Sequence, residues 1–480
     1  MNEWIGQVMQ RPDFPMKLNT RIKVLEGFLY TKNLGDSPLE TQHGMYLIAQ
    51  NGSEYPKIFC KVTQIDSYKE VKSTYESSIS GLTAIVALEP QYEISDGYEG
   101  ELRTQCLEGF KLRFPNDEEF GIIYRIPKEG LHLGNWRISH SKCLEYKYPI
   151  EKIYKSMFVS GVQGTGKTNF LKFLVKTLSS SIYENKPAIV IVDVEGEYSK
   201  SIEKLENVEK YVVSPGNDIG NVTLSISEIA PEDLQYFMPE MESKTSELMD
   251  KIVKNCYEHL EKTYGRFTKE QLLTTIGYQV RTDMLFHPAQ RPAILRALET
   301  NNFDLFNQAG KEILTADKLL IPNKINIIDL SSLEHDSQQR AAALYLLTMF
   351  HRYKLKSNNK INLALIIDES HRLFPRVASY ELRREYMLRI AHKISEITHR
   401  GRKRNYGIVF ATQSPSDITP TIIELCDTKV CFRLSGHKQW IQQFLGKEYC
   451  KELDELETGT AIISCKGVHE PVKIEIPLMT

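Results

Sequence analysis

At 480 residues the chain is long enough for two or three domains, each with its own core. It is 41% hydrophobic and 25% charged, the balance of a soluble globular protein, and 60 Lys and Arg against 62 Asp and Glu leave a formal charge of −2. That balance excludes a global basic field, so any nucleic-acid contact must come from local clustering. No apolar run reaches the ~18 residues of a membrane span, and the opening MNEWIGQVMQ lacks the basic start and apolar centre of a secretory signal. A cytoplasmic location without membrane contact is expected. Cys60, Cys106, Cys143, Cys256, Cys426, Cys431, Cys450 and Cys465 are scattered, with no CxxC pair and no Cys/His cluster at zinc spacing, so isolated reduced thiols and no structural metal are expected.

Residues 1–145 carry short β-rich runs, MYLIA (45–49), KIFCKVTQI (57–65) and LTAIVAL (82–88). Turn signals separate them at Gln50-Asn51-Gly52, Asp96-Gly97 and Pro115-Asn116-Asp117. Several short strands at this spacing predict a small antiparallel barrel or sandwich. No glycine-rich nucleotide loop occurs there.

From about residue 150 the pattern alternates strand and helix. A short apolar strand is predicted over Lys155–Ser160 and an amphipathic helix over Asn169–Thr177. Between them GVQGTGKT, Gly161 to Thr168, fits GxxxxGK[ST]. Gly161, Gly164 and Gly166 allow the tight turn that lets backbone N–H groups, including those of Thr165 and Asn169, face phosphate oxygens at the positive end of a helix. Lys167 would reach the β- and γ-phosphates, and the Thr168 hydroxyl would help hold Mg²⁺. ATP and Mg²⁺ are the cofactors this motif implies.

AIVIV (188–192) reads as a strand buried on both faces; it ends in Asp193 and is followed by Glu195, Gly196 and Glu197. Residues 231–320 break the alternation and read as a helical insertion. INIIDL (325–330) returns as a strand, a helix covers roughly 337–356, and LALII (363–367) is the next strand. The order implies a P-loop α/β core with crossover helices.

Asp368-Glu369 closes LALII where parallel sheets bind ligands. Asp368 would hold Mg²⁺ through water, and Glu369 would orient and deprotonate the attacking water. The alternative is an ordinary acidic pair at a strand end. GIVFAT (407–412) ends in Gln413, which either senses the γ-phosphate or caps the following turn, SPSD. Between these strands, Arg376 to Arg404 holds nine Lys or Arg against Glu381, Glu385 and Glu396, a local balance of +6. Its first half suits phosphate contacts or a solvated helix face equally. The Arg400 to Arg404 cluster, with Arg402 and Lys403, has no obvious internal partner. The strands after 428 offer no candidate for chemistry and read as sheet edge and interface.

With GVQGTGKT, LALIIDESH, GRKRNYGIVFATQSPSDI and the β-rich front module, the chain resembles the HerA family, within the group of HerA and FtsK hexameric ATPases. VDVEGEYS (192–199) is similar to the family's DPHGEYS, with Val194-Glu195 replacing Pro-His; WIGQV resembles its entry strand, and LDELETGTAIISCKGVHEPVKI its final strand pair. The resemblance implies a RecA-like P-loop ATPase core with a helical insertion, preceded by a small N-terminal β-barrel domain. The divisions are then 1–145 for the barrel, 146–230 and 321–480 for the core, and 231–320 for the insertion. It also implies a homo-hexameric ring around double-stranded DNA, ATP between neighbouring subunits, and a docked nuclease or other defence effector. Carried onto this chain, Lys167 and Thr168 are the P-loop pair, Asp368 the Mg²⁺ residue, Glu369 the base and Gln413 the strand-end sensor. Arg402 falls where the family's EGRKYG supplies an arginine to the adjacent subunit; RGRKRNYG is two residues longer, so Arg400 and Arg404 are rivals. The expectation is an ATP-driven DNA translocase. A second reading is a scaffold whose ATPase cycle gates a partner in antiviral defence with little movement, and a membrane-anchored pump is disfavoured.

Overall fold

A computed structural model describes residues 6–9, 25–30, 46–52, 56–67, 83–95, 98–101, 110–137, 143–180, 186–202, 204–215, 220–237, 243–282, 291–292, 295, 302–356, 360–376, 384–468 and 471–479. Asp96-Gly97, Cys106, Glu381, Arg383 and much of 283–301 lie outside them. The chain divides into a smaller unit, residues 1–129 with 135–147 and 467–470, and a larger one holding the rest.

Among the described residues, the smaller unit holds an antiparallel sheet of seven strands: Gly6–Met9, Leu25–Tyr30, Tyr46–Gln50, Lys57–Ser67, Thr83–Ser95, Tyr98–Glu101 and Lys111–Arg113. Leu25–Tyr30 pairs with both Gly6–Met9 and Thr83–Ser95, so the ladder returns on itself through six of the strands. Leu47 and Ala49, Ile58, Cys60 and Val62, and Val86 and Leu88 supply the core, every second residue as a pleated strand requires. The predicted turn at Pro115-Asn116-Asp117 is instead a helix start. Asn116 caps Asp117–Ile123, accepting from the Glu119 N–H at 2.8 Å while the Glu119 carboxylate accepts from the Asn116 N–H at 2.9 Å. Burial alone would raise the Glu119 pKa, but Arg113, Lys57 and the Asn116 N–H hold it down at about 2.

In the larger unit seven parallel strands run in the order Val208–Val212, Ile325–Asp329, Ala188–Asp193, Leu363–Ile367, Tyr406–Thr412, Met157–Ser160 and Thr428–Cys431. Thr460–Cys465 and Val472–Glu475 continue them antiparallel. Every residue of Ala188–Asp193, Leu363–Ile367 and Tyr406–Thr412 is buried, which is why these runs are apolar without alternation. The predicted strand over 155–160 is split: a 3₁₀ turn covers Ile150–Lys155 and the strand starts at Met157, with Ser156 at φ 67° between them. Sequence patterning missed the edge strand Val208–Val212, whose centre is the exposed charged pair Glu209-Lys210.

The helix Lys167–Ser180 lays Phe170, Leu171, Leu174, Val175 and Leu178 on the sheet, one apolar stripe. The helix Asp336–Lys356 is buried almost all round from Gln339 to His351. Within the expected insertion, Ser243–Tyr264 and Lys269–Thr282 are helical, and Ile252, Tyr257, Leu272 and Ile276 join the same core as the sheet. Burial raises the Cys426 and Cys431 thiols to about 12, which marks them as packing groups. No described helix is long and apolar enough to cross a membrane.

Candidate nucleotide site

The strand order sets the site. Ala188–Asp193, Leu363–Ile367, Tyr406–Thr412 and Met157–Ser160 are consecutive neighbours, so their carboxyl ends bring Asp193, Asp368, Gln413 and Gly161 into one row. The loop turns through Gly164 at φ +77° and Gly166 at φ +111°, conformations that a side chain would strain. Gly166 also faces Gly459, where an added Cβ would lie 3.2 Å from backbone atoms. Gly161 is tight for another reason: a Cβ there would meet the Phe432 side chain at 2.6 Å.

Lys167 is the hub. Its ammonium donates to Asp368 Oδ1 at 2.9 Å and to Glu369 Oε1 at 2.5 Å, and all three side chains are buried. Burial alone would lower its pKa, but the two carboxylates outweigh that and raise it, so Lys167 is a cation. Glu369 sits at φ 47°, ψ 40°, the left-handed region that a non-glycine residue rarely adopts. Gln413 donates to Glu369 Oε1 at 2.8 Å. It does not cap SPSD; Ser414 and Asp417 close that turn with each other. The Thr168 hydroxyl lies 3.3 Å from Glu197 Oε2.

Several participants carried no local signal. His371 Nδ1 is 3.0 Å from the Thr412 hydroxyl and 3.3 Å from Glu369 Oε2, and burial, opposed by Glu369, keeps its pKa low. Arg372 pairs with Asp336 at 2.7 Å and with Glu195, beside a pocket also lined by Val162, Gln163 and Gln413. The C-terminal strands were expected to stand apart from the chemistry and instead abut the loop. The Gly459 N–H donates to the Thr165 carbonyl at 2.9 Å, and the Asn169 amide donates to the Pro477 carbonyl and accepts from the Met479 N–H, both at 2.9 Å.

The basic cluster needs correction. Arg402 ends the helix Arg384–Arg402 and donates to the Leu425 carbonyl at 2.7 Å and to Asp427 at 3.2 Å; Arg400 pairs with Glu396 at 2.8 Å. Arg404 donates to the Arg400 carbonyl at 3.3 Å, and Lys403 is exposed. Internal partners therefore exist for Arg402 and Arg400, hidden from sequence inspection at 402 because Asp427 is remote along the chain. The cluster also precedes the seven-residue strand Tyr406–Thr412, which spans roughly 20 Å, so it lies at the opposite edge of the sheet from Gln413.

The donor set fits a magnesium nucleotide. Asp368, Glu369 and the Thr168 hydroxyl are hard oxygen donors, and the ammonium of Lys167 already rests between the two carboxylates, where positive charge is stabilised. Such an ion needs only one or two protein ligands beside phosphate oxygens and water. Lys167→Ala should therefore weaken binding of a fluorescent ATP analogue about 10- to 100-fold, the ~1.5–3 kcal/mol of a charged hydrogen bond. Unchanged affinity in a titration would contradict the assignment.

Fold and site together define a P-loop ATPase. Residues 144–350 match the family model described as "Helicase HerA, central domain". A "DNA double-strand break repair helicase HerA" of Sulfolobus acidocaldarius is 23% identical over 391 residues, 77% of this chain and 73% of the relative. Its ATPase core is thus similar to the central domain of HerA helicases, over somewhat less than half of the chain by the family model. Among solved structures, VirB4 of Thermoanaerobacter pseudethanolicus superposes with a TM-score of 0.55 at 14% identity, covering 73% of this chain and 97% of that one. The plasmid coupling protein TrwB in complex with ADP and Mg²⁺ does so with a TM-score of 0.52 at 14% identity, covering 75% and 91%. These two likenesses show the fold.

Proposed function

We propose that the chain couples Mg²⁺-dependent ATP hydrolysis to movement along double-stranded DNA, as a closed ring of most simply six copies. The observation that carries this is the Lys167 ammonium held by both Asp368 and Glu369 at the carboxyl edge of the parallel sheet. When nucleotide enters, Lys167 leaves the carboxylates for the phosphates. That frees Asp368, with Thr168, to hold the ion and Glu369 to take a proton from water, while Gln413 keeps Glu369 in place. The ion's contribution when bound is neutralisation of phosphate charge. We assign Arg402 to a neighbouring copy's nucleotide, because its position at the far edge of the sheet keeps it from its own.

This likeness supports the DNA part of the reading, since the Sulfolobus relative is named a DNA repair helicase. Further parts of it are a barrel for the smaller unit, a helical insertion within 231–320, a cytoplasmic location, and a docked nuclease or other defence effector. A chain of charge −2 should bind DNA weakly as one copy, whereas a ring that turns its basic segments inward builds a positive channel. Affinity for duplex DNA should then fall ~10³-fold or more between roughly 50 and 200 mM salt if about six phosphates are engaged, with little sequence preference. A titration by fluorescence anisotropy at several salt concentrations decides this. Binding that ignores salt, or that needs one sequence, contradicts a phosphate-lined channel.

A further inference from the structure

The loop after Ala188–Asp193 ties two parts of the site together. The Asp193 carboxylate is buried and accepts from three backbone N–H groups, those of Gly196 at 2.8 Å, Glu197 at 3.1 Å and Tyr198 at 3.0 Å. One carboxylate taking three N–H bonds holds the loop in a single shape, and that shape delivers two side chains. Glu197 reaches the Thr168 hydroxyl, and the Tyr198 hydroxyl donates to Asp368 Oδ2 at 2.7 Å. Tyr198 is fully buried, and the Lys172 ammonium of the P-loop helix sits 5.7 Å from the centre of its ring. The other oxygen of Asp368, Oδ1, accepts from Lys167 at 2.9 Å and from the Glu369 N–H at 2.9 Å.

We propose that Tyr198 is a positioning residue for the metal carboxylate: its hydroxyl occupies Asp368 Oδ2, so that Oδ1 is the oxygen presented to the cation arriving with nucleotide. This rests on Thr168 and Asp368 being the pair that holds Mg²⁺. A carboxylate tied at both oxygens keeps one orientation, whereas one held at Oδ1 alone, by the Glu369 N–H, turns about that contact and meets the ion in several. The arrangement also leaves the oxygen now facing Lys167 as the one released when Lys167 moves to phosphate.

Tyr198→Phe removes one oxygen and keeps the ring and its contact with Lys172. Binding of a fluorescent ADP analogue should be unchanged without Mg²⁺. The Mg²⁺ concentration giving half of the metal-dependent gain in affinity should rise ~10-fold, within the range typical of outer-shell partners. This readout involves no turnover. If the parent chain itself shows no metal-dependent gain, the assignment of Thr168 and Asp368 fails, and Tyr198 falls with it. If the parent responds and Tyr198→Phe has the same half-point, the positioning role is wrong while the site stands. Equal loss of affinity with and without Mg²⁺, together with a lowered melting temperature of the nucleotide-free chain, also overturns it, because the hydroxyl then serves packing alone.

Discussion

Glu369→Gln should bind ATP at least as tightly as the parent and turn it over ~10²-fold or more slowly. The substitution keeps shape and length but removes the carboxylate charge assigned to accept the proton of an attacking water. Glu369 Oε1 now takes both the Lys167 ammonium at 2.5 Å and the Gln413 amide at 2.8 Å, and Oε2 faces His371 at 3.3 Å. An amide holds Lys167 less firmly, so the lysine passes to phosphate more readily, and for that reason affinity should not fall. Phosphate release under saturating ATP separates turnover from binding. Parent-like turnover in this variant would remove Glu369 from the chemistry.

Arg402→Ala carries the other large expected effect. An arginine supplied by a neighbour to the transferring phosphoryl group contributes ~10³- to 10⁵-fold in rate in other P-loop enzymes. The variant should assemble and bind ATP as the parent does, yet lose turnover on that scale. Arg402 begins paired to Asp427, which also lies 3.6 Å from Lys466, so Asp427 keeps a cation when Arg402 engages elsewhere. Lysine at 402 should not rescue fully, since it lacks the planar fork that can take two phosphate oxygens at once. Mixing Arg402→Ala with Lys167→Ala subunits adds direction, because the pair restores an intact site in one of the two orders around a ring. Retained turnover with loss of DNA stimulation alone would assign Arg402 to the DNA path and direct the search to Arg404, Arg400 or Arg433.

The parts of this molecule legible in the amino-acid order were those governed by neighbours along the chain. AIVIV and LALII have no polar member, and GIVFAT only its final Thr412, because both faces of their strands are covered, and the loop motif announces itself by its glycines and Lys167. What escaped was set by distant partners. Tyr198 meets Asp368, Arg402 meets Asp427, and Asn169 spends its amide on Pro477 and Met479, pairings that no local period encodes. Val208–Val212 escaped because an edge strand with Glu209 and Lys210 exposed lacks the apolar run of its buried neighbours. Asn116 was read as a turn residue because the same side chain serves turns and helix caps, and only Glu119 three residues on distinguishes them.

Movement on DNA is the claim that most needs a direct measurement, and displacement of a third strand from a triplex provides it. The parent chain with Mg²⁺ and ATP should strip the third strand from a duplex track, and Glu369→Gln under the same conditions should not. No displacement by the parent, while duplex DNA still stimulates its phosphate release, would contradict translocation and leave a ring that spends ATP to gate a docked partner.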